Sequence, residues 1–345
     1  MRSTSWHDIR VQASQKPARI ILADGDDPRV VEAAARAVDD RVADPVLIGK
    51  RSRIEPLWKK YSSIPEFPYI DPDEFPCPKR DRFSDKLQNL PKYKSLSKSE
   101  ALERLKDPLI LGCLYLHCGL ADGFVGGATR TTAETLRAVF SIVGLAHETT
   151  TLFGFFLIEK RLETGTNPFI LLADCAVIPD PTPKQLANIA IGAASAFEYF
   201  TKDTARVAVL SFSTKGSADH PMVQKVQEAV ALARQKAPDL TLEGEWQADT
   251  ALDLASAQMK GVGGSLMAGR ANVLVAPDLN SGNIAYKLVQ RVGGCRSVGP
   301  ILWGTALPAN DLSRGCSSED VLDMLALTSL QARKTMTLEK PTYAR

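Results

Sequence analysis

The sequence predicts an α/β protein of mostly parallel sheets flanked by helices, and three observations carry that prediction. Short runs at 18–23, 44–49 and 271–276 are mostly apolar, as strands buried on both faces are. Each leads into a polar turn and then a segment with helical spacing. The same alternation continues along the chain without a repeat of fixed period. At 345 residues, with 44% hydrophobic and 24% charged residues, the chain has the composition of a globular protein and the length of one large or two ordinary domains.

The elements follow in order. The run 18–23 reads as a buried strand, 24–28 as a turn, and 29–38 as a helix with Asp27 at the N-cap and Pro28 at its first position. A second strand occupies 44–49. The stretch 51–107 is rich in Lys, Asp and Pro and predicts short helices and loops, with a helix over 98–106. Residues 109–118 read as a strand, 122–132 as a glycine-rich turn and 133–144 as a helix. Strands at 151–158 and 168–173 precede a helix at 185–199. A strand at 206–211, a loop at 213–217, and helices at 221–235 and 251–259 lead to the strand at 271–276. The last part holds a polar loop at 277–283, an amphipathic segment at 284–292, a strand at 300–303 and a second polar loop at 310–316.

Composition excludes several classes of function. A net charge of +2 gives no global basic field, so nucleic acid is not an expected partner. The longest apolar stretch, 109–116, is far short of the ~18 residues that span a membrane. The opening MRSTSWHDIRVQASQKPAR lacks the apolar run of a secretion signal, so a cytoplasmic location is expected. Cysteines at 77, 113, 118, 175, 295 and 316 form no CxxC pair and the four His are isolated, which suggests neither a metal site nor a disulfide framework.

The chemistry concentrates in the loops that follow strands. In Asp311-Leu-Ser-Arg-Gly-Cys-Ser-Ser-Glu-Asp320, the planar donors of Arg314 suit a phosphate dianion or a developing oxyanion, and Ser313 can donate to the same charge. Both residues would also serve as an ordinary surface Arg and turn Ser. Asp320 fits a general base for a thiol, and equally a capping box with Ser317. Cys316 is a second candidate, as a thiol nucleophile beside a helix N-terminus. Gly126 and Gly127 open a strand-to-helix turn that suits an anion, with Thr131 and Thr132 adding hydroxyls, Arg137 one turn inside and Arg130 nearby. Asn280, Ser281 and Asn283 form a polar cluster before the segment carrying Tyr286 and Lys287, and Lys215 sits in Ser213-Thr-Lys-Gly216.

Two strings, P-D-L-N-S-G-N-I-x-Y-K-x-x-Q-R and N-D-L-S-R-G-C-S-x-x-D, resemble the signature of the phosphate acetyltransferases (phosphotransacetylases) and phosphate butyryltransferases. Matching segments extend from about residue 20 to about residue 327. The resemblance implies two α/β domains of isocitrate/isopropylmalate dehydrogenase-like fold, the first formed by 1–146 plus 299–345 and the second by 147–298. It also implies an active-site cleft between them and a homodimer. The implied reaction is acetyl-CoA + phosphate ⇌ CoA + acetyl phosphate, by direct attack of coenzyme A thiolate, with coenzyme A as substrate and no metal or redox cofactor.

In that family's pattern Asp320 takes the thiol proton, while Arg314 and Ser313 stabilise the developing charge. Arg137, in a stretch similar to T-A-[DE]-T-x-R, binds phosphate or coenzyme A with Thr131 and Thr132. Asn280, Ser281 and Asn283 border the cleft, and Lys215 lies in a cleft loop of the second domain. The sequence departs from the pattern near Pro91, where family members carry another basic residue; Lys92 and Lys94 are the nearest substitutes. Gly263 and Gly264 also replace a Pro-containing run. Three alternatives stand beside this reading: a butyryl- or other acyl-specific enzyme, a dehydrogenase of the related fold, and a non-catalytic coenzyme A-binding or assembly protein.

Overall fold

The computed structural model describes residues 4–75, 77–147, 149–160 and 168–337. The chain divides into two compact units, one of Trp6–His147 with Thr305–Arg345 and the other of Met1–Ser5 with Glu148–Gly304.

The first unit opens with α1 (Trp6–Ser14), β1 (Arg19–Leu22), α2 (Pro28–Asp39) and β2 (Asp44–Ile48). Asp27 caps α2 by accepting from Arg29 N at 2.9 Å, and Pro28 supplies the fixed φ of its first turn. Val30, Val31, Ala33, Ala34, Ala35 and Ala37 are fully buried, and this small-residue face lets α2 pack closely. Next come α3 (Arg51–Tyr61), β3 (Tyr69–Ile70), α4 (Cys77–Asn89), a 3-10 turn (Pro91–Tyr93), α5 (Lys98–Arg104), α6 (Pro108–His117), β4 (Gly123–Gly126) and α7 (Thr132–Ile142).

The chain then builds the second unit. In order these elements are β5 (Phe153–Glu159), β6 (Phe169–Ala173), α8 (Pro183–Thr201), β7 (Val207–Leu210), α9 (Pro221–Lys236), β8 (Leu242–Trp246), α10 (Ala248–Leu252), α11 (Leu254–Met259), β9 (Val273–Val275), α12 (Leu279–Arg291) and β10 (Arg296–Trp303). Finally β11 (Ala309–Asp311) and α13 (Ser318–Thr337) return to the first unit.

The first unit's five-stranded sheet has the order β11-β4-β1-β2-β3, and its pairings are parallel. From β1 the chain moves to β2 and β3 on one side, then to β4 on the other. The carboxyl ends of β1 and β4 therefore flank a topological switch point, the usual place for a ligand in an open α/β sheet. The second unit's six-stranded sheet has the order β10-β5-β6-β9-β7-β8. Its β6, β9, β7 and β8 run parallel, and β5 and β10 form an antiparallel edge.

The structure corrects several sequence expectations. Of residues 109–118, expected as a strand, 109–117 lie in helix α6 and Cys118 is its C-cap. Asp107 accepts from Leu109 N at 3.0 Å and Pro108 takes the first position, while Leu109 through Leu114 are all buried. A short element buried all round has no amphipathic period, so the pattern could not tell helix from strand. Within the expected glycine-rich turn, 123–126 is strand β4. A Cβ on Gly123 would lie 2.6 Å from Thr328 Cγ2, so close packing explains the glycine. The helix expected over 251–259 breaks at Asp253 into α10 and α11. Asn280–Asn283 lie inside α12, whose N-cap is Asp278 rather than this cluster. Finally, β10 pairs with β5 through Trp303↔Phe153, and the second compact unit extends to Gly304.

Candidate active site

Three loops emerge from the carboxyl ends of β1, β4 and β11, and two charged side chains lock them together. Asp24, after β1, accepts from Gly127 N at 2.8 Å, Ala128 N at 3.1 Å and Thr129 N at 3.1 Å, and also from the Thr129 hydroxyl. The turn after β4 is thus wrapped around one carboxylate. Arg29, in the first turn of α2, donates to Arg314 O at 2.8 Å, Cys316 O at 2.9 Å and Ala128 O at 3.0 Å, and pairs with Asp27 at 2.8 Å. Its planar fork reaches carbonyls on two different loops, which a lysine could not do. Neither Asp24 nor Arg29 was a candidate from sequence, since their partners are remote along the chain.

This arrangement fixes the backbone of the Ser313–Cys316 turn and leaves the Arg314 side chain exposed. Among the described residues its guanidinium has no hydrogen-bond or ion-pair partner. Ser313 is half-buried, and its Oγ is 3.4 Å from Gly315 N. The capping box expected from Ser317 and Asp320 is present: Asp320 N donates to Ser317 Oγ at 3.1 Å, and Ser317 N donates to Asp320 Oδ2 at 2.9 Å. Cys316 is buried, which pushes its thiol up to about 11; Arg29 pulls it back and Asp320 adds to the rise. At neutral pH it is a protonated thiol, which counts against an acyl-enzyme on Cys316.

The turn after β4 ends at Thr131, the N-cap of α7. The Thr131 hydroxyl donates to Glu134 Oε2 at 2.7 Å, so it is already committed to the capping box. Thr132 follows at the first helical position. Arg137 lies on the exposed face of α7, where it lines a shallow depression of about 460 Å³ with Lys92, Leu136 and Phe140. Arg130 is spread between Asp107 at 3.8 Å and Glu134 at 3.5 Å.

The remaining candidates belong to the second unit. Lys215 has a left-handed backbone (φ 49°), and its Nζ is held by Glu243 at 2.7 Å. Its loop is gathered by Glu245, which accepts from Gly216 N at 2.6 Å and Ser213 Oγ at 2.9 Å. Ser281 donates to Asp278 Oδ1 at 3.0 Å, and Asn283 donates to Cys175 O at 3.1 Å. Asn280 is exposed. In the first unit the structure thus places Ser313 and Arg314 on the loop after β11, Asp320 in the first turn of α13, and Thr131 and Thr132 at the start of α7. In the second unit Lys215 follows β7 and the α12 residues follow β9. Among the described residues no group of three His, Cys, Asp or Glu is placed to hold a metal ion. No described helix is long and apolar enough to cross a membrane.

The family description Phosphate acetyl/butaryl transferase matches residues 6–329. The chain belongs to this family. A phosphate acetyltransferase of Thermoanaerobacterium thermosaccharolyticum is 41% identical over 323 residues, covering 93% of this chain and 97% of the relative. The crystal structure of a phosphotransacetylase from Streptococcus pyogenes superposes with a TM-score of 0.85 at 35% identity, covering 95% and 98% of the two chains. A 4-hydroxythreonine-4-phosphate dehydrogenase from Klebsiella pneumoniae shares the fold alone, with a TM-score of 0.51 at 12% identity over 92% of this chain and all of that one. The dehydrogenase-like architecture is therefore real, while sequence kinship points to the phosphate acyltransferases. Pro91 starts the 3-10 turn, and the next residue, Lys92, lines the same depression as Arg137.

Proposed function

We propose a direct-transfer mechanism for a chain whose activity is reversible acetyl transfer between coenzyme A and phosphate. Asp320 takes the proton of the coenzyme A thiol. The thiolate then attacks the acetyl carbonyl carbon of acetyl phosphate. The C–S bond forms, the C–O bond to phosphate breaks, and phosphate leaves with that electron pair. Arg314 and Ser313 stabilise the oxyanion and the departing phosphate. Arg137, with Lys92 beside it, and the Thr131–Thr132 start of α7 bind anionic groups of the substrates. The observation that carries this reading is Arg314: a guanidinium free of protein partners among the described residues, on a loop whose backbone Arg29 holds at two carbonyls.

In the second unit, Asn280, Ser281, Asn283 and Lys215 are assigned to substrate contact on the strength of the family resemblance. Lys215 would have to leave Glu243 to touch an anion directly. Neither a resident cofactor nor a metal enters this mechanism. We also propose a homodimer, supported by the exposed apolar residues of α12 and its C-cap, Ile284 at 56%, Leu288 at 55% and Val292 at 82%. A cytoplasmic site of action fits the free thiols of Cys113, Cys118, Cys175, Cys295 and Cys316.

The test is thiol consumption by purified protein with acetyl phosphate and coenzyme A. Asp320→Asn is expected to lower kcat by about 10²–10⁴-fold, and Arg314→Ala by about 10²–10³-fold, each with the fold intact. A wild type inactive on acetyl, propionyl and butyryl phosphate alike would overturn the mechanism.

A further inference from the structure

Asp311 is the last residue of β11, two positions before Ser313, and it has no evident structural purpose. Strand alternation sends Asn310 to one side, where it donates to Thr328 Oγ1 at 2.8 Å and Gln331 Oε1 at 2.6 Å on α13. Asp311 points the other way, toward the N-terminal turn of α7. It is fully buried, and among the described residues neither carboxyl oxygen has a hydrogen-bond partner. The hydroxyls of Thr132 and Thr135 face it and favour its charged form, although neither reaches it with full hydrogen-bond geometry, and Thr135 Oγ1 donates to Thr131 O at 3.4 Å. Gly127, at φ 106°, folds over it; a Cβ there would lie 2.1 Å from Asp311 Oδ1. Natural structures rarely leave both oxygens of a buried carboxyl unsatisfied without a functional reason.

The groups around it decide its protonation. Burial is the largest influence and pushes Asp311 up to about 7; the charge of Asp24 pushes the same way, and Thr132 and Thr135 push back. From α7, Glu134 is engaged by Thr131. From α13, Asp320 is engaged by Ser317 and Asp323 by Arg10. Arg29, the cation of the three loops, is turned to Asp27 and to carbonyls.

We propose that Asp311 is a positioning residue for the transfer reaction: its neutral carboxyl donates to Thr132 Oγ1, and the Thr132 hydroxyl proton is thereby turned outward onto the phosphoryl group of the substrate. A hydroxyl has one proton to give. An ionised Asp311 can only accept, so it draws that proton inward and takes a donor from the substrate. This rests on the assignment of Thr132 to anion binding made above.

The experiment measures KM for acetyl phosphate at saturating coenzyme A between pH 6 and 8, a range over which acetyl phosphate does not itself titrate. If only the neutral form binds productively, the apparent KM of the wild type rises about tenfold across that range. Asp311→Asn keeps a permanent donor, and its KM is expected to stay within about twofold across the same range. Thr132→Ser should retain the wild-type rise, while Thr132→Val should show a high KM that no longer depends on pH. Asp311→Asn with an undiminished rise overturns the role of Asp311 even if Thr132→Val confirms Thr132 as a ligand. Thr132→Val with wild-type KM at every pH overturns the anion-binding assignment and the relay together. Should Asp311→Asn not fold, the contrast between Thr132→Ser and Thr132→Val decides: loss of the rise in Val alone supports the relay, and its persistence in Val refutes it.

Discussion

Because Asp320 caps its own helix through Ser317, replacing it tests two roles at once unless the cap survives. Asn still offers an oxygen to Ser317 N but is not a base, so Asp320→Asn isolates the chemistry. Ser317→Ala does the opposite. It removes the hydroxyl that accepts from Asp320 N, and should cost about 1 kcal/mol of stability while leaving kcat within a few-fold of wild type. Thermal melts and turnover on the two variants check this; a large kcat loss in Ser317→Ala would mean that the cap itself aims the carboxylate. Both residues were legible because a capping box is a local pattern, four residues long. Asp27 and Pro28 were legible for the same reason. Arg29 was not: the carbonyls it holds lie 99, 285 and 287 positions away. Asp311 sat inside a recognised string, but its isolation is a property of burial, which no spacing reports.

At the scale of elements, α13 carries Asp320, the proposed base, in its first turn. Arg10 of α1 anchors that turn through Glu319 and through Asp323 at 2.6 Å, and Arg36 of α2 adds a second contact to Glu319 at 2.6 Å. Burial works to raise the Glu319 carboxyl, but Arg36 and Arg10 outweigh it and hold the group at about 2. A carboxyl depressed in the folded state contributes stability above its ordinary value, here 4.5, and loses it as pH falls toward about 2. Arg10→Ala takes an ion-pair partner from the buried Asp323, so it should cost about 3 kcal/mol at neutral pH and shrink the loss of stability between pH 4.5 and 2. Urea titrations of both proteins at several pH values would show it, and an unchanged acid dependence would refute the anchor. Most strands and helices were legible from apolar period. The exception, α6, is instructive: Leu111, Cys113 and Leu114 are all fully buried, so its sequence records depth and no direction.

For the whole molecule, no linker composition marks the division into units, so local sequence pattern did not show it. The first unit is discontinuous, formed by Trp6–His147 and by Thr305–Arg345, while Glu148–Gly304 is nearly continuous. Its sheet needs β11 to complete one edge, and α13 buries Val321, Leu322, Leu325 and Leu327 against the rest. A chain stopped after Gly304 is therefore expected to protect the amides of β5 through β10 from hydrogen exchange while β1 and β4 exchange freely. Protection of β1 in that shortened chain would contradict this.

The same discontinuity sets an order on the ribosome. Domains fold as their residues emerge, and here the second unit is entirely synthesised before the strand ending in Asp311 and the loop bearing Ser313 and Arg314 exist. The first half of the first unit must wait through the making of the whole second unit, with one edge of its sheet open and the seat of α13 uncovered. A nascent chain at that stage has exposed apolar surface and no acyltransferase chemistry. On the proposed assignment of Ser313, Arg314 and Asp320, catalytic competence would arrive only with β11, the loop after it and α13.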